Sequence, residues 1–85
     1  MTSPPIKLYA LSTCSHCKAV KKLLRSQHKE FEAIDVDQLD TEQRKAVLEE
    51  VKQYNKRLSF PTTVIGDKVI VGNKAAQIKK AIRDD

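Results

Sequence analysis

The sequence holds two cysteines, Cys14 and Cys17, separated by Ser15 and His16. A C-x-x-C pair can cycle between dithiol and disulfide, and its chemistry depends on where it sits. At the start of a helix the free N–H groups and the positive end of the dipole stabilise a thiolate at the first cysteine. Cys14 is therefore the expected nucleophile. Cys17 lies almost one turn further on, within reach of the Cys14 sulfur but turned into the helix face, so a higher pKa and the role of resolving thiol are expected. Attack by Cys14 on a substrate disulfide gives a mixed disulfide, and attack by Cys17 on Cys14 releases the reduced substrate. His16, between the two, can add positive charge beside the thiolate and favour the reduced form, which would make the couple more oxidising. Cys14, Cys17 and His16 are the candidate catalytic residues. A zinc site using His16 or His28 lacks a second ligand pair, and a helix start seldom buries two inert cysteines.

Such a pair needs a strand to deliver it and a helix to open on, and the flanking sequence supplies both. Ile6-Lys7-Leu8-Tyr9-Ala10-Leu11 is short and apolar enough for a buried strand. Ser12 and Thr13 offer a cap, and Cys17, Val20, Leu23 and Leu24 then form one apolar face of a helix ending near Gln27. Phe31 to Val36 alternates with period two, which closes a βαβ unit with parallel strands. Asp40 with Gln43 resembles a capping box ahead of a second helix over Thr41 to Asn55, with Val47, Val51 and Tyr54 on its stripe. Thr62-Thr63-Val64-Ile65 and Lys68-Val69-Ile70-Val71, joined by Gly66-Asp67, read as an antiparallel hairpin. Asn73 can cap a last helix whose inner face carries Ile78 and Ile82. The order β-α-β-α-β-β-α defines a single α/β domain over residues 1–85, with residues 1–5 as a loose arm.

Sixteen Lys and Arg against eleven Asp and Glu give a net charge of +5, with 32% charged and 40% hydrophobic residues. This balance fits a globular domain and excludes collagen-like, coiled-coil and disordered classes. No apolar run approaches the ~20 residues of a membrane span and no apolar h-region follows Met1, so a cytoplasmic location is expected. The lysines decorate outer helix faces, alternate with acids and lack an aromatic platform, which argues against nucleic acid. They can steer anionic thiols or acidic partner surfaces.

Cys14-Ser15-His16-Cys17 after the first strand, Phe60-Pro61-Thr62 before the third and Gly72-Asn73 after the fourth together resemble the glutaredoxin family, over nearly all of Ile6 to Ile82. The resemblance implies a thioredoxin-like fold, a mixed four-stranded sheet flanked by helices. It implies a thiol-disulfide oxidoreductase acting on protein or glutathione mixed disulfides, a cis peptide before Pro61, and a substrate or glutathione groove along Thr13, Ser15, Arg57, Phe60, Pro61, Gly72, Asn73 and Lys74. Phe60 and Pro61 would hold the thiol substrate by strand addition. Glutathione or small thiols and disulfide-containing proteins are the implied partners of a monomer with no tightly bound cofactor. Two alternatives are a redoxin reduced by a flavoprotein reductase, and a module holding an iron–sulfur cluster between two subunits with Cys14 and glutathione. Against the family pattern, Ser15 and His16 replace Pro and Tyr, Leu11 replaces Lys, Phe60 replaces Val, Asn73 replaces the second Gly, and Lys74 and Ala75 stand where Asp or Ser receives a carboxylate. Arg57, Asn73 and Lys74 are the candidate replacement anion contacts.

Overall fold

The computed structural model describes residues 5–83, so the arm expected over residues 1–5 falls outside it except for Pro5. The chain runs β1 (Ile6–Ala10), α1 (Ser15–Ser26), β2 (Glu32–Asp35), a 3-10 turn (Val36–Gln38), α2 (Thr41–Tyr54), β3 (Thr62–Ile65), β4 (Lys68–Val71) and α3 (Ala75–Arg83). This is the expected order with one added turn. The sheet is mixed and four-stranded in the order β2-β1-β3-β4. β1 pairs parallel with β2 and antiparallel with β3, and β3 and β4 form the hairpin.

Two strands end earlier than the hydrophobic pattern suggests. β1 stops at Ala10 because the Leu11 carbonyl accepts the Cys14 N–H at 3.2 Å, which bends the chain into a turn. β2, whose last partner across the sheet is Ala10 opposite Asp35, stops there too. Its apolar continuation, Val36, is buried within the 3-10 turn and not in the strand.

Alternation along β1 divides the core. Ile6, Leu8 and Ala10 point to a face covered by α1 and α3, where Cys17, Val20, Leu24, Ile78, Ala81 and Ile82 pack with Ile65 and Ile70. Tyr9 points to the opposite face and packs with Val51 of α2 and Val64. The Tyr9 hydroxyl donates to the Glu50 carboxylate, on which Lys7 Nζ also sits at 2.7 Å. Burial, then the neighbouring carboxylate, push the Tyr9 pKa up to about 12, so the phenol stays protonated. Tyr54 does not continue the buried stripe of α2: it is exposed, with its ring 6.3 Å from that of Tyr9. Asp40 caps α2 as expected, accepting the Gln43 N–H at 2.8 Å.

All four residues of β3 are buried, because strands flank it and helices cover both faces. Thr63, opposite Leu8 and Ile70, carries a cost: its buried Oγ1 has no hydrogen-bond partner among the described residues. A hydroxyl buried without a partner forfeits its hydration and gains nothing in exchange. Thr63→Val keeps the β-branched shape and should raise stability by about 1–2 kcal/mol, read as a higher denaturant midpoint at unchanged slope.

Candidate active site

The site begins where β1 leaves the sheet. Cys14 takes extended backbone angles (φ −82, ψ 122) and is itself the N-cap of α1, its sulfur accepting the Cys17 N–H at 3.4 Å. The capping role expected of Ser12 and Thr13 is therefore corrected. A cap needs an acceptor over the first turn, and the Cys14 sulfur fills that place. Ser12 turns the other way: its N–H and hydroxyl donate to the two carboxylate oxygens of Asp37 at 2.8 and 2.5 Å, and Gln38 Nε2 donates to Ser12 Oγ at 3.1 Å. These bonds from Ser12 hold the Asp37 carboxyl below its ordinary pKa.

The two thiols are made unequal by their surroundings. Cys14 is half-buried and Cys17 is 0% exposed, packed among Ala10, Val20 and Leu24. The Cys14 pKa is lowered, first by the hydrogen bond from the Cys17 thiol, then by the Cys17 backbone N–H, with the His16 N–H adding to it. Burial pushes Cys17 up to about 11, opposed by the Leu11 N–H, which donates to its sulfur at 3.5 Å, and by the Lys21 ammonium. The acid–base contrast expected from helix position is present, and much of it comes from Cys17 itself.

The Phe60–Pro61 peptide is cis, and Phe60 packs against the same core cluster as Cys14. The Pro61 carbonyl accepts the Gly72 N–H at 2.8 Å, which ties the start of β3 to the end of β4. Gly72 adopts φ +93, with open space where a Cβ would stand, so backbone conformation and not room requires glycine here. The loop before Pro61 is organised by Asn55, which is buried. Its Nδ2 donates to Ser59 O at 3.1 Å, Ser59 Oγ at 2.9 Å and Thr62 Oγ1 at 3.3 Å, while its Oδ1 accepts the Arg57 N–H at 3.2 Å. Leu58 is carried through the left-handed region at φ +53 within this loop.

His16, Phe60, Pro61, Gly72, Asn73 and Lys74 line one groove of about 300 Å³. Six of the predicted site residues are thus brought together. Thr13 and Ser15 are exposed beside Cys14 and do not line the groove, and Arg57 is exposed on the loop before Pro61, also outside the lining. Asn73 does not cap α3, since the Lys74 carbonyl accepts the Ile78 N–H at 3.0 Å and Lys74 holds that place. The site also depends on Asn55, Asp37 and Lys21, which sequence reasoning did not single out. Lys21 carried a signal in its spacing, four residues after Cys17, whereas Asn55 and Asp37 act across loops that no local pattern joins.

Comparison with known proteins agrees with this geometry. The family model Glutaredoxin matches residues 6–70. Methanoredoxin of Methanosarcina acetivorans is 41% identical, with a TM-score of 0.91 covering 94% of this chain and 85% of that one. The glutaredoxin grx-1 of Archaeoglobus fulgidus is 38% identical, with a TM-score of 0.89 covering 94% and 87%. An uncharacterized glutaredoxin-like 8.6 kDa protein in the rubredoxin operon of Clostridium pasteurianum is 34% identical over 77 residues, 91% of this chain and 96% of that protein.

The unequal thiols predict the order of modification. Iodoacetamide in limiting amount should label Cys14 first by peptide mapping, and the pH midpoint of the Cys14 rate should lie below the ordinary thiol value of 9.0 while Cys17 stays unlabelled. Equal labelling would sink the assignment of the nucleophile.

Proposed function

This chain belongs to the glutaredoxin family, and from that premise we propose that it reduces protein or glutathione mixed disulfides through a Cys14/Cys17 dithiol cycle in the cytoplasm. The observation that carries the reading is the pairing of a half-buried cap thiol, with lowered pKa, and a fully buried thiol behind it whose N–H already donates to the first sulfur. In the first step the Cys14 thiolate attacks a substrate disulfide along its S–S axis, forming the Cys14 mixed disulfide and expelling one substrate thiolate, which takes a proton from water. The backbone about Phe60 and Pro61 supports the substrate in the groove. In the second step Cys17 loses its proton, attacks Cys14 Sγ and releases the other thiolate. The protein dithiol has then given two electrons to the substrate and holds the Cys14–Cys17 bond.

Glutathione is the proposed co-substrate, with His16, Asn73 and Lys74 on the groove wall as its polar contacts. One observation favours a second reading, in which a flavoprotein reductase supplies the electrons. Leu11 and Ala75, the first residue of α3, stand where the family pattern has a cation and a carboxylate-receiving residue at the helix start. Two charge-assisted contacts are thereby missing. Weak glutathione recognition is expected, and Leu11→Lys with Ala75→Ser, whose hydroxyl can donate to a carboxylate, should raise activity in a glutathione and glutathione-reductase coupled assay by about tenfold or more, since about 1.4 kcal/mol is tenfold. A wild-type protein already as efficient with glutathione as ordinary family members, with no gain from the double change, would assign the anion contacts to Asn73, Lys74 or Arg57. Turnover with thioredoxin reductase alone would support the second donor.

A further inference from the structure

Lys21 differs from its neighbours on α1. Lys18 and Lys22 are exposed, whereas the Lys21 side chain is only 16% exposed, with its ammonium 2.7 Å from Asp35 Oδ1. It lies four residues after Cys17, on the same helix face. Asp35 is the last residue of β2, opposite Ala10, at the sheet end from which the chain enters the cysteine loop. A partly desolvated ion pair is thus set one turn from a sulfur that must become an anion in the second step.

We propose that Lys21 and Asp35 form a charge pair that controls the ionisation of Cys17, Lys21 as a positioning residue whose ammonium stabilises the Cys17 thiolate and Asp35 as the counter-charge that holds and moderates it. The proposal rests on the dithiol reading only for its consequence in turnover. Among the described residues, the groups that act on Cys17 are Cys14 at the cap of α1, Lys21 one turn on along α1 with Asp35 of β2 as its ion-pair partner, and the Leu11 N–H just after β1. At the second step the Cys17 proton passes to water, the Cys17–Cys14 bond forms, the bond from Cys14 to the substrate sulfur breaks, and the substrate leaves as a thiolate. A nearby cation stabilises negative charge on Cys17 before attack, and the low-dielectric surroundings magnify its effect. The lowering influence of Lys21 on Cys17, against the burial that raises it, agrees with this arrangement.

An ion pair that only ties α1 to β2 makes a different forecast. Loss of either partner would then loosen the same contact and change Cys17 in the same direction. The charge-pair proposal predicts opposite signs. Lys21→Met should raise the Cys17 midpoint and slow resolution about tenfold, which corresponds to about one pKa unit. Asp35→Asn, which keeps a hydrogen-bond acceptor for Lys21, should lower the midpoint and speed resolution, and Lys21→Arg should restore the wild-type profile. Resolution is read by stopped flow as decay of the Cys14 mixed disulfide with thionitrobenzoate across a pH series. The Cys17 midpoint is read independently from thiolate absorbance of the Cys14→Ser protein. Cys14 attack, measured in Cys17→Ser protein, should change less than about twofold in the Lys21→Met background. Shifts of the same sign in the two variants, or no shift in either, would overturn the proposal while leaving the dithiol cycle intact. Opposite midpoint shifts in a protein whose mixed disulfide Cys17 never resolves would uphold the charge pair and overturn the dithiol cycle.

Discussion

The hydrogen bond from the Cys17 N–H to the Cys14 sulfur is the interaction on which the site depends. Every helix must find acceptors for the N–H groups of its first turn, and an oxygen from Ser, Thr, Asp or Asn is the usual solution. Here the acceptor is the nucleophile. The sulfur that closes α1 is thereby fixed at the helix start, and because a thiolate accepts more strongly than a thiol, ionisation of Cys14 strengthens the cap. Structure and reactivity are satisfied by the same atom. Forming the mixed disulfide removes the negative charge from that acceptor while the Cys17 N–H remains beside it, which places the resolving residue against the sulfur it must attack.

That arrangement requires the chain on either side to be held. Before Cys14, the Leu11 carbonyl takes the Cys14 N–H, and Asp37 takes both polar groups of Ser12. The early end of β2 belongs to the same device, since the 3-10 turn that follows it presents Asp37 to Ser12. Across the groove, the Asn55 side chain joins the end of α2 to Ser59 and Thr62, so the residues flanking Phe60 and Pro61 share one buried anchor. Both sides use polar side chains to replace backbone pairing where the chain leaves regular structure, as buried backbone and amide groups demand.

The sequence made the elements legible where one local rule decides them. The order of the elements along the chain, the Asp40 cap, the Gly66-Asp67 turn and the C-x-x-C pair at a helix start follow from periodicity and capping over a few residues. Five of the six groove residues were legible through the family resemblance, because Phe60, Pro61, Gly72 and their neighbours lie in short motifs, and His16 through its place between the cysteines. The remainder depends on separation in sequence. Nothing around Ser12 indicates that a carboxylate 25 residues later will turn it away from the helix. Asn55 reads as the end of a helix, and its function as a loop anchor exists only once β3 is in the sheet. Tyr54 sits in phase with Val47 and Val51, yet Tyr9 and Glu50 already occupy the space beneath that face, which leaves its ring at the surface.

The two thiol shifts divide the work between equilibrium and rate. A thiol with lowered folded pKa, such as Cys14, stabilises the folded dithiol as pH rises above that value, and the effect is lost as pH falls through it. Since the disulfide has no thiolate to stabilise, every such gain makes the dithiol harder to oxidise and the couple more oxidising. Cys17 works with the opposite sign. Its thiol is pushed up to about 11, so its contribution is fully present below the ordinary value of 9.0 and is lost as pH rises through about 11. Near neutral pH Cys17 is protonated in the folded and unfolded chain alike, and its raised pKa then adds nothing to the pH dependence of the couple. It appears instead as a barrier, because the attacking thiolate must be formed before the second step. Groups that act on Cys14 therefore govern the potential, and groups that act on Cys17 govern how long the mixed disulfide persists. A charge beside the buried thiol can tune the lifetime of the substrate-bound state with little effect on the potential.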